Sequence, residues 1–422
     1  MSDAEFHPIP PDRVDEYERI TQYAFRPEAG VPGETDPSAD DGTADDEGEA
    51  NGTLGERFGV FAGPADGLRS VCKHYDFTAR LRGEWVPMAG LAAVATPPEH
   101  RREGYVRRLI AGSLDRWHGE FPVAALWPFS RPYYRQFGWA TATTFAEVTL
   151  PTEKLGFARG RLAARDDPDE WTVRRVTADD WDELREAHVA HAAERGLTIR
   201  RDAEWMGMRR FQTIGDTTAH AYACERDGTV RGYVAFTFEK QGTGLDERRL
   251  TVTDMAYADH EAHLRLLALV ADHDSQAAET VYYAGDTSLL DLLSDPSDAD
   301  CEVRAGPMVR VVDVAHALET VPYPEGATAD LTLAVSDDTA AWNDRTFRLR
   351  VEDGTATCTP ADGPAAEADA TVGIGTLSQL VPGYHSVEEA RRLGDLTVRD
   401  DGVDDRLAAL FPPQTVFLRT FF

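Results

Sequence analysis

The chain has 422 residues and 42% hydrophobic content, room for two to four domains of the usual ~100–200 residues. The 74 Asp and Glu against 43 Lys and Arg give a formal charge of −31, which disfavours nucleic acid and anionic membrane surfaces as partners, because both are polyanions. No apolar run reaches the ~18 residues of a membrane span, and the start MSDAEFHPIPPDRVDEYERI lacks the basic-then-apolar order of a secretory leader, so a cytoplasmic protein is expected.

The charge has a texture. Lys stands only at Lys73, Lys154 and Lys240, so 40 of the 43 basic residues are Arg. Excess carboxylate with almost no Lys suits a halophile, an archaeon with a salt-filled cytoplasm, where ions screen self-repulsion. An acidic bacterial protein from a GC-rich genome is the other reading. Cys72, Cys224, Cys301 and Cys358 are scattered and fit neither a metal site nor a disulfide framework, so buried thiols are expected. The pairs His188/His191 and His260/His263 are spaced i, i+3 in charged stretches that read as solvated helix, without nearby Cys; no metal is expected.

In chain order, Asp12 to Phe25 reads as an amphipathic helix. Residues 34–53 follow; the eight acids of Glu34 to Ala50, with Gly, Pro and Ala between them and no basic residue, read as a disordered insert. Phe58 to Phe61 and Ser70 to Leu81 alternate like strands, and Met88 to Ala95 (MAGLAAVA) reads as a buried strand. Thr96 to Leu109, TPPEHRREGYVRRL, leads from that strand into a helix over Val106 to Glu120. A strand, Arg-Arg-x-Gly and a helix can hold a pyrophosphate: Gly104 lets the backbone approach, the helix amides point at the anion, and Arg101, Arg102, Arg107 and Arg108 add positive charge. Val123 to Trp127 is another buried strand, Tyr133 to Phe137 starts a short helix, and Phe145 to Leu150 closes a first domain, 1–150.

A second domain, 151–305, shows a strand and capped helix from Trp171, then a hairpin of Tyr222 to Arg226 and Gly232 to Glu239 around Asp227-Gly228. Leu250 to Ala258, His263 to Asp274 and Thr280 to Ala284 repeat strand, helix, strand. LTVTDMAYADHEAHLRLLALVADH parallels MAGLAAVATPPEHRREGYVRRLIA but has no R-x-x-G loop. The third region, 306–422, opens on the strand Met308 to Asp313 and a helix at His316 to Leu318. Strands follow at Ala329 to Val335, Thr346 to Val351, Ala356 to Thr359 and Ala370 to Gly373, then helices at Ile374 to Leu380 and Val387 to Leu393, and the apolar end QTVFLRTFF.

Arg101-Arg102-Glu103-Gly104-Tyr105-Val106 resembles the acetyl-CoA loop of the GNAT N-acetyltransferases, R/Q-x-x-G-x-G/A, with Val106 departing from the usual small residue. P-x-x-R-R-x-G followed by ALWPFSRPYYRQFGW, Ala125 to Trp139, resembles the Eis family ("enhanced intracellular survival") of acetyltransferases, and MVRVVDVAHAL resembles the opening of its terminal domain. The resemblance spans the chain. It implies an α/β fold: two tandem GNAT acyltransferase folds, the second degenerate, then a sterol-carrier-protein-like α+β domain. It further implies acetyl-CoA as co-substrate, a homo-oligomer (a hexamer), and broad acceptance of amines.

Acetyl transfer needs an anion cradle, a polarising donor, a base for the amine and an acid for the thiolate. The resemblance assigns Ala93, Val94 and Ala95, otherwise plain buried strand, to the pantetheine and acetyl oxygen. It puts Phe129 and Ser130 beside the cofactor, where the family often has a small polar residue followed by an acid. In PYYRQFGW the Tyr-x-x-Phe-Gly spacing selects Tyr134 as general acid over its neighbour Tyr133; a phenol of pKa ~10 can protonate a thiolate whose acid is near ~8.5. The family uses its last α-carboxylate in the first domain's site, here that of Phe422; at ~3.3–3.7 its pKa is low for a base unless burial raises it. A carboxylate in an acidic protein suits a cationic amine: a polyamine, an aminoglycoside or a lysine. A non-catalytic acyl-CoA or lipid-binding sensor is the alternative.

Overall fold

The computed structural model describes residues 4–29, 54–63, 67–164, 171–209, 218–241 and 248–422; the acidic stretch 34–53 lies outside the described residues. The strands are β1 (Glu5–Pro8), β2 (Glu56–Phe61), β3 (Leu68–Leu81), β4 (Glu84–Ala95), β5 (Val123–Leu126), β6 (Ala140–Thr141), β7 (Thr144–Pro151), β8 (Trp171–Arg175), β9 (His220–Arg226) and β10 (Thr229–Lys240). They continue as β11 (Arg248–Tyr257), β12 (Glu279–Ala284), β13 (Asp300–Ala305), β14 (Met308–Val311), β15 (Ala329–Ser336), β16 (Arg345–Glu352), β17 (Thr355–Pro360), β18 (Ala370–Gly373) and β19 (Thr397–Val398). The helices are α1 (Val14–Phe25), α2 (Tyr105–Trp117), α3 (Arg131–Arg135), α4 (Phe157–Ala163), α5 (Trp181–Ala192), α6 (Ala203–Arg209), α7 (His260–Ala271), α8 (Ser288–Leu292), α9 (Val314–Thr320), α10 (Ile374–Leu380), α11 (Val387–Leu393) and α12 (Asp401–Leu410). No described helix is long and apolar enough to cross a membrane.

The strands form three sheets, ordered β1-β2-β3-β4-β5-β14-β6, β13-β7-β12-β11-β10-β9-β8 and β17-β16-β15-β18-β19. Two strands stand elsewhere than the sequence suggests. Phe145 to Leu150, expected to close the first unit, lies in β7 and pairs with β12 and β13 of the second sheet. Met308 to Val311, expected to open the third unit, is β14 and pairs between β5 and β6 of the first. Two short connections, Ala142-Thr143 and Gly306-Pro307, carry the chain across in opposite directions, and the Gly306 amide donates to the Thr143 carbonyl at 2.9 Å. Apolar periodicity marks these segments as strands but carries no information about which sheet takes them.

In the first unit α2 buries Tyr105, Leu109, Ile110, Leu114 and Trp117 on one stripe, against Phe58, Leu91 and Leu126 of the sheet. In the third unit β16 alternates, with Phe347, Leu349 and Val351 inside and Arg348 and Arg350 outside, as a sheet with one wet face requires. The third unit is bolted to the first through Arg310 of β14, which is fully buried. It donates to the Phe137 carbonyl and, at 2.6 Å, to Asp337. Arg82 does the same from β3's end, donating to the carbonyls of Val381 at 2.7 Å and Leu380 at 2.8 Å. His188 and His263, expected on solvated faces, are buried at 2% and 7% exposure; the His188 Nε2 donates to the Ile199 carbonyl at 3.0 Å. Apolar neighbours at i±3 and i±4 in α5 and α7 draw them inward. Cys72, Cys224 and Cys358 are buried and Cys301 is half-buried.

Candidate active site

The site is built on a divergence of strands. β4 and β5 run parallel from Met88↔Val123 to Leu91↔Leu126; past that pair β5 ends while β4 continues to Ala95, so Ala92 to Ala95 have no β5 neighbour. On its other edge β4 bulges against β3 between Val71↔Ala95 and Lys73↔Ala92. Ala93, in the bulge, has φ +50°, a left-handed conformation that costs a non-glycine residue about 1–3 kcal/mol and persists only where the surroundings impose it. Such bulges re-aim backbone groups beside active sites.

The connection to α2 runs through a turn at Pro98–His100, then Arg101, Arg102, Glu103 and Gly104, all four exposed. Arg102 has φ +66° and Gly104, the residue before the helix, φ +84°. No side chain caps α2 and no acid stands in its first turn, so the positive end of the helix is left for an anion. A Cβ on Gly104 would meet nothing within 4 Å; the glycine serves the backbone angle, not a tight contact. Arg101 Nε donates to the Thr96 carbonyl at 3.0 Å, which folds the loop back on the strand end. Arg107 is exposed over the Phe137 ring, whereas Arg108 donates to the Ala4 carbonyl at 3.1 Å and serves the fold. Tyr105 and Val106 pack inward with Val94.

Tyr134 is 2% exposed and belongs to the same apolar cluster as Leu91, Tyr105 and Leu126, with Val94, Val106 and Tyr133 packed against it. Burial raises its pKa, and the neighbouring Tyr133 and Cys72 add to the rise, so the phenol keeps its proton. Tyr133 is half-buried and raised less, with Arg107 opposing. Ser130 stands before α3, and its carbonyl accepts from the Tyr134 amide at 3.3 Å. Phe129 is 70% exposed, its ring 5.4 Å from that of Tyr134. The short helix spans Arg131–Arg135, slightly ahead of the expected Tyr133 to Phe137, because Pro132 fits a first turn.

The C-terminus reaches the opposite face of the divergence. Phe422 is 5% exposed, and its ring lies 4.8 Å from Phe77 and 5.8 Å from Tyr75, both on β3. Ala92 and Trp127, from the parting ends of β4 and β5, pack on the cluster that contains Phe422. Trp127 Nε1 donates to the Thr420 carbonyl at 2.9 Å, and Phe421 lies against the Trp127 ring. Beside these aromatics a cavity of about 390 Å³ is lined by Tyr75, Phe77 and Trp205 and by the acids Glu56, Asp76 and Asp202. Partial burial first, then Glu56 and Glu120, hold the Asp76 carboxyl above its ordinary range. Among the described residues no group of three or more His, Cys, Asp or Glu stands together as a metal site.

Residues 5–142 and 196–311 each match an acetyltransferase (GNAT) domain, and residues 314–419 match a sterol carrier protein domain. The chain is a GNAT-type N-acetyltransferase. It is 29% identical over 377 residues to an uncharacterized N-acetyltransferase of Streptomyces griseus, covering 84% of this chain and 86% of that one. It is 28% identical over 379 residues to the N-acetyltransferase Eis of Mycobacterium tuberculosis, covering 84% and 87%. The fold matches a GCN5-related N-acetyltransferase from Anabaena variabilis at TM-score 0.81 and 20% identity, covering 99% of this chain and 100% of that one. It matches a probable N-acyltransferase from Enterococcus faecalis at TM-score 0.82 and 22% identity, covering all of both. GNAT domains use acetyl-CoA as co-substrate, and the uncapped α2 and its Gly104 backbone suit that anion.

Sequence reasoning missed Tyr75, Phe77, Trp127 and Trp205. The YDF triplet on a strand carries a signal: two aromatics two residues apart share one face. Trp205 lies on a helix of seven residues with no amphipathic pattern to draw attention to it.

Proposed function

We propose that this protein transfers acetyl from acetyl-CoA directly to a primary amine of a cationic acceptor, a polyamine- or aminoglycoside-like molecule or a lysine, with Tyr134 as general acid and the Phe422 α-carboxylate as base. The observation that carries the reading is the burial of the last residue, against Phe77 and Tyr75, beside the strand ends where β4 and β5 part.

Acetyl-CoA supplies the activated thioester. Arg101, Arg102, the Gly104 backbone and the first turn of α2 hold the pyrophosphate, with Glu103, Tyr105 and Val106 shaping the loop. The β4 backbone at Ala93, Val94 and Ala95 orients the pantetheine and acetyl oxygen, with Phe129 and Ser130 alongside. The Phe422 carboxylate orients the ammonium and takes one proton from it, directly or through a water, so that the free amine attacks; as the C–N bond forms the nitrogen releases its second proton to water, from which Tyr134 is reprotonated. Tyr134, kept protonated by burial, donates to the departing sulfur as the C–S bond breaks. The 390 Å³ cavity takes the acceptor: a cation between Glu56 and Asp76 offsets the Glu56 repulsion that adds to partial burial in raising Asp76, while Arg201 is paired with Asp254 and Arg200 lies over the Trp85 ring. An Eis-like homo-hexamer in a salt-rich archaeal cytoplasm completes the reading; the −31 charge is what suits the salt.

The test is CoA release from acetyl-CoA at high salt across an amine panel, for the full chain, the chain lacking Phe422, and Y134F. Turnover should fall on the order of 10²–10⁴-fold in each variant with acetyl-CoA affinity within about twofold. Tight acetyl-CoA binding with no release for any amine would replace this reading by the sensor.

A further inference from the structure

In the second GNAT unit β11 and β12 run parallel from Arg249↔Glu279 to Thr251↔Val281 and then part, the same plan as β4 and β5. The correspondence extends to the bulge. Thr253, two residues past the last pair, is the extra residue opposite the Ala235/Phe236 step, as Ala93 is part of the bulge two residues past Leu91. Where β11 and β12 part lies a cleft of about 50 Å³ edged by Thr253, Asp254 and Tyr283, and the chain's own C-terminal tail enters it. Arg419 lays its guanidinium over the Tyr283 ring, 3.4 Å from the centroid, and its Nη1 donates to the Thr253 carbonyl at 3.0 Å. Arg201, bound to Asp254, donates from Nη2 to the Thr420 hydroxyl at 3.0 Å. The tail is thus fastened to the second unit through two consecutive side chains and to the first through Trp127.

We propose that Arg419 is a positioning residue: it anchors the tail in the second unit's unused cleft and thereby sets where the Phe422 carboxylate stands in the first unit's site. The inference rests on the proposed role of that carboxylate. Phe422 lies three residues past Arg419, so where Arg419 holds the tail bears directly on where Phe422 stands. Three residues of extended chain span ~10 Å, so Arg419 acts through Thr420 and Phe421 and does not itself reach the reacting atoms. A displacement of ~1 Å at a reacting group can cost ~10²-fold in rate. Arg419 is half-buried; Tyr283 first, then Asp254 and Glu147, offset part of the desolvation of its charge. A cleft of this kind in an active unit would receive a ligand; here it receives the chain's own cation.

The experiment is a double-mutant cycle on the full chain, with R419A and deletion of Phe422 made singly and together, reading kcat, the amine KM and acetyl-CoA affinity by calorimetry. R419A should lower kcat on the order of 10–100-fold and leave acetyl-CoA affinity within about twofold. R419K should recover part of the loss, because it keeps the cation without the planar donor pair. In the deletion background R419A should add no more than about twofold, since the group it positions is already gone. Losses that multiply, or an R419A loss that is matched by lost acetyl-CoA affinity, overturn the inference. A deletion that leaves kcat unchanged overturns the carboxylate reading and this inference with it, whereas a costly deletion beside a silent R419A overturns the inference alone. Should R419A not fold, T420V, which removes only the hydroxyl that accepts from Arg201, takes its place in the cycle. A kcat loss of about 3–10-fold that vanishes in the deletion background supports positioning, and no loss overturns it.

Discussion

The two GNAT units share a plan and differ at its two decisive points. In the first, the Thr96–Gly104 connection leads into α2, whose first turn has neither a side-chain cap nor an acid, and β4 runs past β5 to Ala95. In the second, only Ala258 and Asp259 separate β11 from α7, and Asp259 caps the helix: its Oδ1 accepts from the Ala262 amide at 2.9 Å, with Glu261 in the first turn. In the proposed function the first gives its helix end to an anion from solution and its parting strands to an acyl group. The second sets its own carboxylate at the helix end and its own Arg419 at the parting strands. The second unit keeps the geometry of the first, groups of the chain itself occupy it, and in the proposed reading it serves as a clamp.

The largest difference to expect between the units is in acid. The second holds two buried neutral histidines, His188 and His263, pushed down to about 4, and the half-buried His191, also well below its ordinary range; desolvation is the first cause in each. The first unit holds His74, pushed down to about 3 mainly by burial, its Nε2 2.8 Å from the Ser113 hydroxyl. An unfolded histidine takes up its proton near pH ~6.5 and these do not, so between pH ~6.5 and the folded values the unfolded chain binds more protons and stability falls as pH falls. His188 and His263 can each remove up to about 3 kcal/mol by pH ~4. Hydrogen exchange followed from pH 7 downward should show α5 and α7 losing protection before α2. Simultaneous loss in all three helices, or none in α5 and α7 above pH 4, would break the comparison.

Giving the first unit the second unit's cap sharpens it. G104D sets a carboxylate at the start of α2, where Asp259 stands before α7. Acetyl-CoA affinity by calorimetry should fall on the order of 100-fold, from charge repulsion together with the strain of φ +84°. G104A carries the strain without the charge and should lose about tenfold or less. Wild-type affinity in G104D would move the anion site away from α2.

How much of this was legible in the sequence differs by element. The strand, the R-x-x-G turn and the helix of the first unit are local, each set by residues within a short window, and the structure has them where the motif suggests. The repeat between Met88 and Leu250 was legible for the same reason. Sheet membership of β7 and β14 was not, because it is decided by pairing partners far away in the chain: Val148 with Tyr282, and Val309 with Ala125. The apolar end QTVFLRTFF announced a tucked tail, but its route depends on Gly196, Thr143, Trp127 and Thr253, four residues from separate segments with no shared motif. His188 and His263 were misjudged because their acidic and basic neighbours in sequence point outward while the imidazoles point in; burial is a property of the helix face, not of local composition.

The smallest effect comes from reversing the second unit's cap. D259A removes the acceptor for the Ala262 amide and the partner of Arg231, whose Nη2 lies 2.7 Å away. The ion pair is more than a third exposed on both sides and adds little, so the loss is that of an N-cap, about 1 kcal/mol, or about 2–4 °C in Tm. D259N keeps a capping oxygen and should lose less than half as much. Acetyl-CoA should still bind with a stoichiometry of one, because uncapping α7 does not remove Arg419 from the cleft that the acyl arm would need. A second equivalent of acetyl-CoA bound by D259A would show that the cap alone closes the second site. In that case the tail would occupy the cleft only because nothing else can.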